Sequence, residues 1–360
     1  MKNNIVLISI FLLVTSCAKH FDTPKIIKNI SLDENHDVIA IPNGIHDNYN
    51  VLVLQSHNNL SDITIVSFDS SGINCKNKIN FSKNLYGYFL YYKNIDSIIY
   101  FPLTDETNSL LIYNNRGILC DEINLHPAVA AMNPNTGLKC AENNIYLGNS
   151  TEKYGVAYPN ERAQYYRDVK PACIVDLKSR NISVFGEFPV YYNKNNYSFY
   201  DWFPVICPMK DNCCVLSFAC DDSVYVYKNG IKENAFVCKS RFIDKFVPFD
   251  DSQAFNMSYC RNYTLSQPKY SNIIHNIHTN EYYRVAEHAK KIGNNGRIID
   301  GQNLSWSILV MDSSFKVTKE YYFKLNEYSP NIIIPSREGV YLQKYPNKKE
   351  DSLTLTLFKF

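Results

Sequence analysis

Ser223-Val224-Tyr225-Val226-Tyr227, followed by Lys228-Asn229-Gly230, is the stretch from which the fold can be read. β-Branched and aromatic residues in an unbroken run favour a strand. Asn-Gly after it supplies the positive φ that a tight hairpin requires. The same strand and polar turn recur along the chain. Ile63-Thr64-Ile65-Val66-Ser67-Phe68 turns at Asp69-Ser70-Ser71-Gly72, and Ser109-Leu110-Leu111-Ile112-Tyr113 at Asn114-Asn115-Arg116-Gly117. Cys173-Ile174-Val175-Asp176-Leu177 turns at Lys178-Ser179-Arg180-Asn181, and Ser307-Ile308-Leu309-Val310-Met311 at Asp312-Ser313-Ser314. A sixth copy, Ser352 to Leu357, has no turn after it.

A further strand precedes each copy, for example Val51 to Leu54, Asn144 to Leu147 and Val340 to Gln343. An innermost strand fits before each of these, as at Asp37 to Pro42 and Asn331 to Ser336. Six units of four strands predict an all-β fold, a six-bladed β-propeller. A β-sandwich or a pair of β domains also fits evenly spaced hairpins, but sixfold recurrence of one unit favours the propeller. Ser240 to Gln267 leaves room for a seventh, degenerate blade. The last unit lacks a fourth strand, and Lys25 to Leu32 reads as a spare one. We expect this N-terminal strand to complete the last blade and cover its open edge.

Ahead of that strand, Lys2 gives a positive start and Ile5 to Val14 an apolar run broken by Ser9. The run is too short for a bilayer span, which takes roughly 20 residues, and has the length of a signal-peptide core. It ends in Val14-Thr15-Ser16-Cys17, which resembles the lipobox of bacterial lipoproteins. The alternative is an ordinary secretory signal whose cleavage site happens to end in cysteine. The expected organisation is a signal peptide over 1–16, a lipidated tether over 17–24 beginning at Cys17, and one propeller domain over 25–360. Acyl chains on Cys17 would make a membrane the first partner.

A formal net charge of +2 and the lack of a basic patch argue against nucleic acid. Ten of the 11 cysteines lie beyond Cys17. Most sit in apolar strands, where buried free thiols are common, so we expect mostly free cysteines with one or two bridges. Adjacent Cys213 and Cys214 point to opposite faces of a strand, and no C-x-x-C pair suggests a structural zinc.

In a propeller the hairpin turns gather on one face. The second-to-third strand links and the connections between blades gather on the other. All the long insertions fall on the latter face: His126 to Thr136, Asn149 to Pro171, Phe188 to Asp201, Arg241 to Gln267 and His288 to Asn303. Long loops on a rigid scaffold commonly carry binding. Among them Arg162, Tyr165, Tyr166, Arg167, Tyr191, Tyr192 and Trp202 are the residue types of binding hot spots, and they form our candidate ligand face. The alternative is that these rings pack the loops onto the propeller.

Catalytic signals are weak. His275 and His278 do not share a strand face. Glu287-His288 lacks the helical H-E-x-x-H setting. Asp221-Asp222 and Glu161 with Asp168 offer carboxylates of the kind found in solvated turns. We assign no catalytic residue, no metal site and no cofactor.

Trp306-Ser307-Ile308-Leu309-Val310-Met311-Asp312, Lys319-Glu320, Ile333-Ile334-Pro335-Ser336-Arg337-Glu338-Gly339-Val340-Tyr341 and Asn280-Glu281-Tyr282-Tyr283-Arg284-Val285 resemble uncharacterised Bacteroidetes (Bacteroidales) lipoproteins with a TolB-like six-bladed propeller domain. That resemblance implies the fold and an outer-membrane, lipid-anchored location. A single acid after Cys17, Asp22, leaves periplasmic face and cell surface both open. The expected function is a non-enzymatic binding module whose long-loop face takes a protein or glycan partner. A propeller hydrolase or lactonase with a channel-mouth site, and an envelope scaffold, are the alternatives.

Overall fold

Strands that are apolar at every position need cover on both faces, and a ring of radially stacked sheets supplies it. The computed structural model describes residues 24–32, 36–40, 50–56, 61–81, 90–94, 97–102, 109–125, 131–132, 138–150, 159–196, 203–290, 293, 305–324, 327–345 and 353–360. Cys17 and the predicted signal peptide and tether up to residue 23 lie outside them.

Strand β1 (Lys25–Leu32) comes first. The first blade is β2 (His36–Ala40), β3 (Asn50–Ser56), β4 (Asp62–Asp69) and β5 (Gly72–Asn80). The second is β6 (Leu90–Asn94), β7 (Ser97–Tyr100), β8 (Ser109–Tyr113) and β9 (Leu119–Asn124). The third opens on two short pieces, β10 (Ala131–Met132) and β11 (Lys139–Ala141), both paired with β12 (Asn144–Ser150). It continues through β13 (Ala172–Asp176) and β14 (Ile182–Phe185). The fourth is β15 (Val205–Pro208), β16 (Cys213–Ser217), β17 (Ser223–Lys228) and β18 (Ile231–Val237). The fifth is β19 (Lys269–Asn276), β20 (Glu281–Glu287), β21 (Ser305–Met311) and β22 (Val317–Lys324). The sixth is β23 (Tyr328–Pro335), β24 (Val340–Lys344) and β25 (Leu353–Lys359). β1 is hydrogen-bonded outside β25, with Lys25 opposite Lys359 and Leu32 opposite Leu353. Every pairing is antiparallel, and the first strands pack side by side round the ring from β2 to β23. Ser240 to Gln267 holds a 3-10 turn and a helix instead of a seventh blade. The expected bridges are also absent: all ten described cysteines are free.

Period-2 alternation divides the core between blades. In β3, Val51 and Val53 pack with Leu90, Tyr92 and Ile98 of the second blade, whereas Leu52 and Leu54 pack the other way, against Ile334, Leu355 and Leu357 of the sixth. Ile30 of β1 belongs to this latter cluster. Similar clusters fill the junctions of blades two and three, three and four, four and five, and five and six. Each fully buried Leu, Ile or Val contributes about 1.5–3 kcal/mol, so stability is spread round the ring.

Two glycines are fixed by close approach. Gly339 has φ +150°, and a Cβ there would stand 1.9 Å from the Phe358 carbonyl oxygen, at the β24–β25 pairing. At Gly117, φ +70°, a Cβ would meet the Asn80 carbonyl oxygen at 2.2 Å.

Strand direction separates the two faces. The described turns, such as 70–71, 229–230 and 336–339, are short and share one face. β25 ends at that face, so β1 enters the fold there. The link 41–49, nominally on the same face, lies outside the described residues.

Candidate functional site

Three insertions on the long-loop face fold into one cap. Helix α1 (Pro159–Asp168) sits in the link between β12 and β13, with Glu161 in its first turn and Arg167 in its last, an order that suits the helix dipole. A 3-10 turn (Val190–Asn193) leads toward the fourth blade. The connection to the fifth blade carries a second 3-10 turn (Asp251–Gln253) and helix α2 (Met257–Ser266). Asn256 caps α2 by accepting from the Tyr259 amide at 3.1 Å.

The pieces are tied together by charge and by rings. Arg162 of α1 makes a two-pronged pair with Asp251, Nη1 to Oδ2 at 2.8 Å and Nη2 to Oδ1 at 2.6 Å. The Asn196 side-chain amide donates to the same carboxylate at 3.3 Å. The Phe249 amide donates to the Asn196 carbonyl, and Tyr263 Oη donates to the Val247 carbonyl at 2.7 Å. Tyr165, Tyr166, Phe188, Tyr192 and Phe218 meet edge-on or tilted, with centroids about 5–6 Å apart, the spacing at which such rings attract. Tyr191 Oη donates to the Cys220 carbonyl at 2.7 Å, and the Cys220 amide to Tyr192 Oη at 3.2 Å, which pins the cap to the fourth blade.

Most of the candidate ligand residues are therefore brought together as packing. Arg162, Tyr165, Tyr166 and Tyr192 are buried, Tyr191 is half-buried and Arg167 is exposed. Trp202 lies outside the described residues. Other side chains reach solvent on the cap. Phe255 is 90% exposed, Val190 77% and Met257 73%, and Val247 is exposed as well. A hydrophobic residue just before a helix cap often packs onto the first turn; Phe255 occupies that position and points to solvent instead. Phe255-Asn256-Met257, two apolar residues around a capping Asn, is the sequence signal that could have marked this tip.

Asp221, Asp222 and His288, singled out from the sequence, have structural partners, whereas the buried Nε2 of His278 has no hydrogen-bond partner among the described residues. Asp221 accepts from the Ser223 amide at 2.8 Å and Tyr225 Oη at 2.6 Å, and Asp222 from Tyr270 Oη at 2.8 Å. His288 lies between Ser305 Oγ, 2.8 Å from Nδ1, and Ser307 Oγ, 3.0 Å from Nε2. Ser307 Oγ donates to Glu320 at 2.6 Å, and Ser240 Oγ donates to the same oxygen at 2.5 Å. A nucleophilic triad needs the acid on the imidazole and an accessible serine. Here the acid bonds serines, and Ser307 is fully buried. Burial pulls the His288 pKa down to about 4, so the ring is neutral. Among the described residues no three His, Cys, Asp or Glu side chains gather as a metal site would require.

The opposite face has a polar recess of about 210 Å³ where turns of the first, fifth and sixth blades meet. Asp69, Ser70, His278, Arg337, Glu338 and Tyr341 are among its lining. Ser70 Oγ donates to Glu338 at 2.7 Å, and Lys28 of β1 donates to the Ser70 carbonyl at 2.6 Å. Its bonds from Ser71 hold Asp69 below the ordinary carboxylate range. Burial, then Arg337, lowers the His278 pKa. The Ser70–Glu338 and Lys28–Ser70 bonds bring β1 and the β23–β24 turn against the β4–β5 turn. The recess was not legible in the sequence because its residues come from three distant turns.

The chain was compared with known proteins. A family model described as "Domain of unknown function (DUF4221)" matches residues 47–322. The crystal structure of a member of that family from Bacteroides vulgatus is similar with a TM-score of 0.73 at 17% identity, over 93% of this chain and 97% of that one. It shows the fold alone. A catalytically inactive virginiamycin B lyase from Staphylococcus aureus, with quinupristin, gives 0.45 at 12% identity over 92% and 99% of the two chains. A gluconolactonase from Xanthomonas campestris gives 0.38 at 7% over 93% and 99%. Neither likeness is close enough to bear on chemistry. No curated protein matches the chain. The extent of the family match, read with the six-bladed ring, places this chain in the DUF4221 family.

Proposed function

We propose that the chain is a membrane-anchored binding module whose long-loop cap takes up a protein partner through apolar contact. The observation that carries this reading is the exposure of Phe255, Met257 and Val190 on a cap whose other aromatic side chains are mostly buried. Large apolar side chains held in water on an ordered element mark contact surfaces. Aliphatic and phenyl groups of this kind favour a protein over a glycan as the occupant. Anchoring rests on the run Ile5 to Val14 and on Cys17, whose acylation would hold the chain at the outer membrane. In this reading β1 is the clasp of the ring: it covers the edge of β25, adds Ile30 to the junction of blades six and one, and ties the tether to the seam.

The test is cross-linking and co-purification from the native envelope, with the full chain and with Phe255→Ser/Met257→Ser. Both side chains are exposed, so the double variant should fold as the parent does. Loss of a partner that the parent retains is the expected result. An unchanged set of partners would remove the cap from the account.

A further inference from the structure

Turn residues are ordinarily polar, yet isoleucines stand in or directly beside the short turns of this protein. Ile118 closes the β8–β9 turn beside Arg116, Ile231 follows Gly230 between Lys228 and Lys232, and Ile277 opens the β19–β20 turn. All three are exposed, Ile231 to 72%. At the seam, β1 enters with Ile26 and Ile27 exposed between Lys25 and Lys28. Ile73 begins β5 just after its turn. Every exposed isoleucine among the described residues thus lies at this one face. Acids also stand in short turns of this face, Glu142, Asp211 and Glu338 among them, while Asp69, Asp176 and Asp312 each direct a carboxylate oxygen back onto amides of their own turn. Arg116 and Lys228 are exposed, whereas Lys232 holds its ammonium 4.6 Å from the centre of the Tyr225 ring.

We propose that this short-turn face lies against an anionic phospholipid surface, with its isoleucines and basic side chains in the headgroup layer and the long-loop cap directed away. Two features identify that occupant. The first is where the tether joins. β1 enters at this face, and eight Cα steps separate Lys25 from Cys17, so the face stands within about 28 Å of the acylated residue. The second is chemical fit: apolar side chains interleaved with Lys and Arg match a lipid interface, because long basic stems bury their methylenes while their heads meet phosphate. The inference rests on the anchoring of Cys17 proposed above.

The experiment is hydrogen exchange read by mass spectrometry on the full lipidated chain. One vesicle preparation contains about 30 mol per cent phosphatidylglycerol and the other is phosphatidylcholine throughout. On the anionic vesicles the amides of 114–119, 228–232 and 277–280 should exchange about fivefold more slowly. The protection should fade at about 0.5 M salt, where charges are screened. Segments 186–196 and 245–266 should not change. Ile118→Ser/Ile231→Ser/Arg116→Glu/Lys228→Glu should lose the protection at an unaltered melting midpoint. Protection on the cap segments, or equal exchange on the two vesicle types, overturns the proposal. If intact mass shows no acyl chain on Cys17, the anchoring fails. The same chain added to vesicles from solution then still decides, by the same pattern, whether this face meets lipid.

Discussion

Cutting the ion pair between Arg162 and Asp251 should loosen the cap, and the size of the effect depends on which partner is removed. Arg162 is 5% exposed at its side chain and Asp251 34%. Arg162→Met takes away two charge-assisted hydrogen bonds but leaves a carboxylate that water and Asn196 can still serve. We expect a loss of about 2 kcal/mol. Asp251→Ala leaves a buried guanidinium without the carboxylate that neutralises it, and removal of one partner from a buried pair costs about 3–5 kcal/mol. The order Asp251→Ala worse than Arg162→Met follows from burial alone. The double variant should be less destabilised than the sum, with a coupling of about 2 kcal/mol. Urea unfolding of the four proteins measures the cycle. Hydrogen exchange should localise the loss to 159–168, 190–196 and 247–266, leaving the other blades unchanged. A coupling below about 0.5 kcal/mol, or Arg162→Met as the costlier change, would refute the view that this pair ties α1 to the connection between blades four and five.

Three further outcomes are expected. Gly339→Ala drives a Cβ into the Phe358 carbonyl at the seam and should cost about 2–4 kcal/mol by denaturant unfolding, with a loss under about 0.5 kcal/mol counting against the close approach. Arg284 is fully buried, stacks 3.5 Å from the centre of the Tyr270 ring, and donates to Ser217 Oγ and to the carbonyls of Asp221, Asp222, Ser223 and Cys238; Arg284→Met should therefore cost about 3–5 kcal/mol, read by the same unfolding. His288 has its folded pKa pulled from 6.5 down to about 4, so the unfolded chain takes up its proton first; stability should fall as pH drops through that window, by up to about 3 kcal/mol, and His288→Gln should flatten the slope.

The strands were legible because their chemistry is local. Tyr225 to Gly230 carries its own alternation and its own turn, and β17 and β18 meet where Asn229 and Gly230 take positive φ. The blade junctions followed from the same alternation, as in β3, where neighbouring residues serve different blades. Ser240 to Gln267 left a seventh blade open because a length of about one blade says nothing about what fills it. There an Asn cap and a helix replace strands. The candidate ligand residues were ambiguous for a different reason. Tyr and Arg are preferred both at binding surfaces and in packed caps, and only burial separates the two. Arg162 met Asp251, 89 positions away, and Tyr166 met Phe188, contacts that no local pattern encodes. Phe255, which reaches solvent, stood in the long insertion Arg241 to Gln267, where no residue pattern had singled it out.

The account gives opposite tasks to the two faces of the ring, and photo-cross-linking in the native envelope tests that division most directly. A photoreactive residue is placed singly at Phe255 on the cap and at Ile231, just after the β17–β18 turn, in the full-length chain. The account predicts a protein adduct from position 255 and a phospholipid adduct from position 231. Lipid captured at 255, or protein captured at 231, would contradict it.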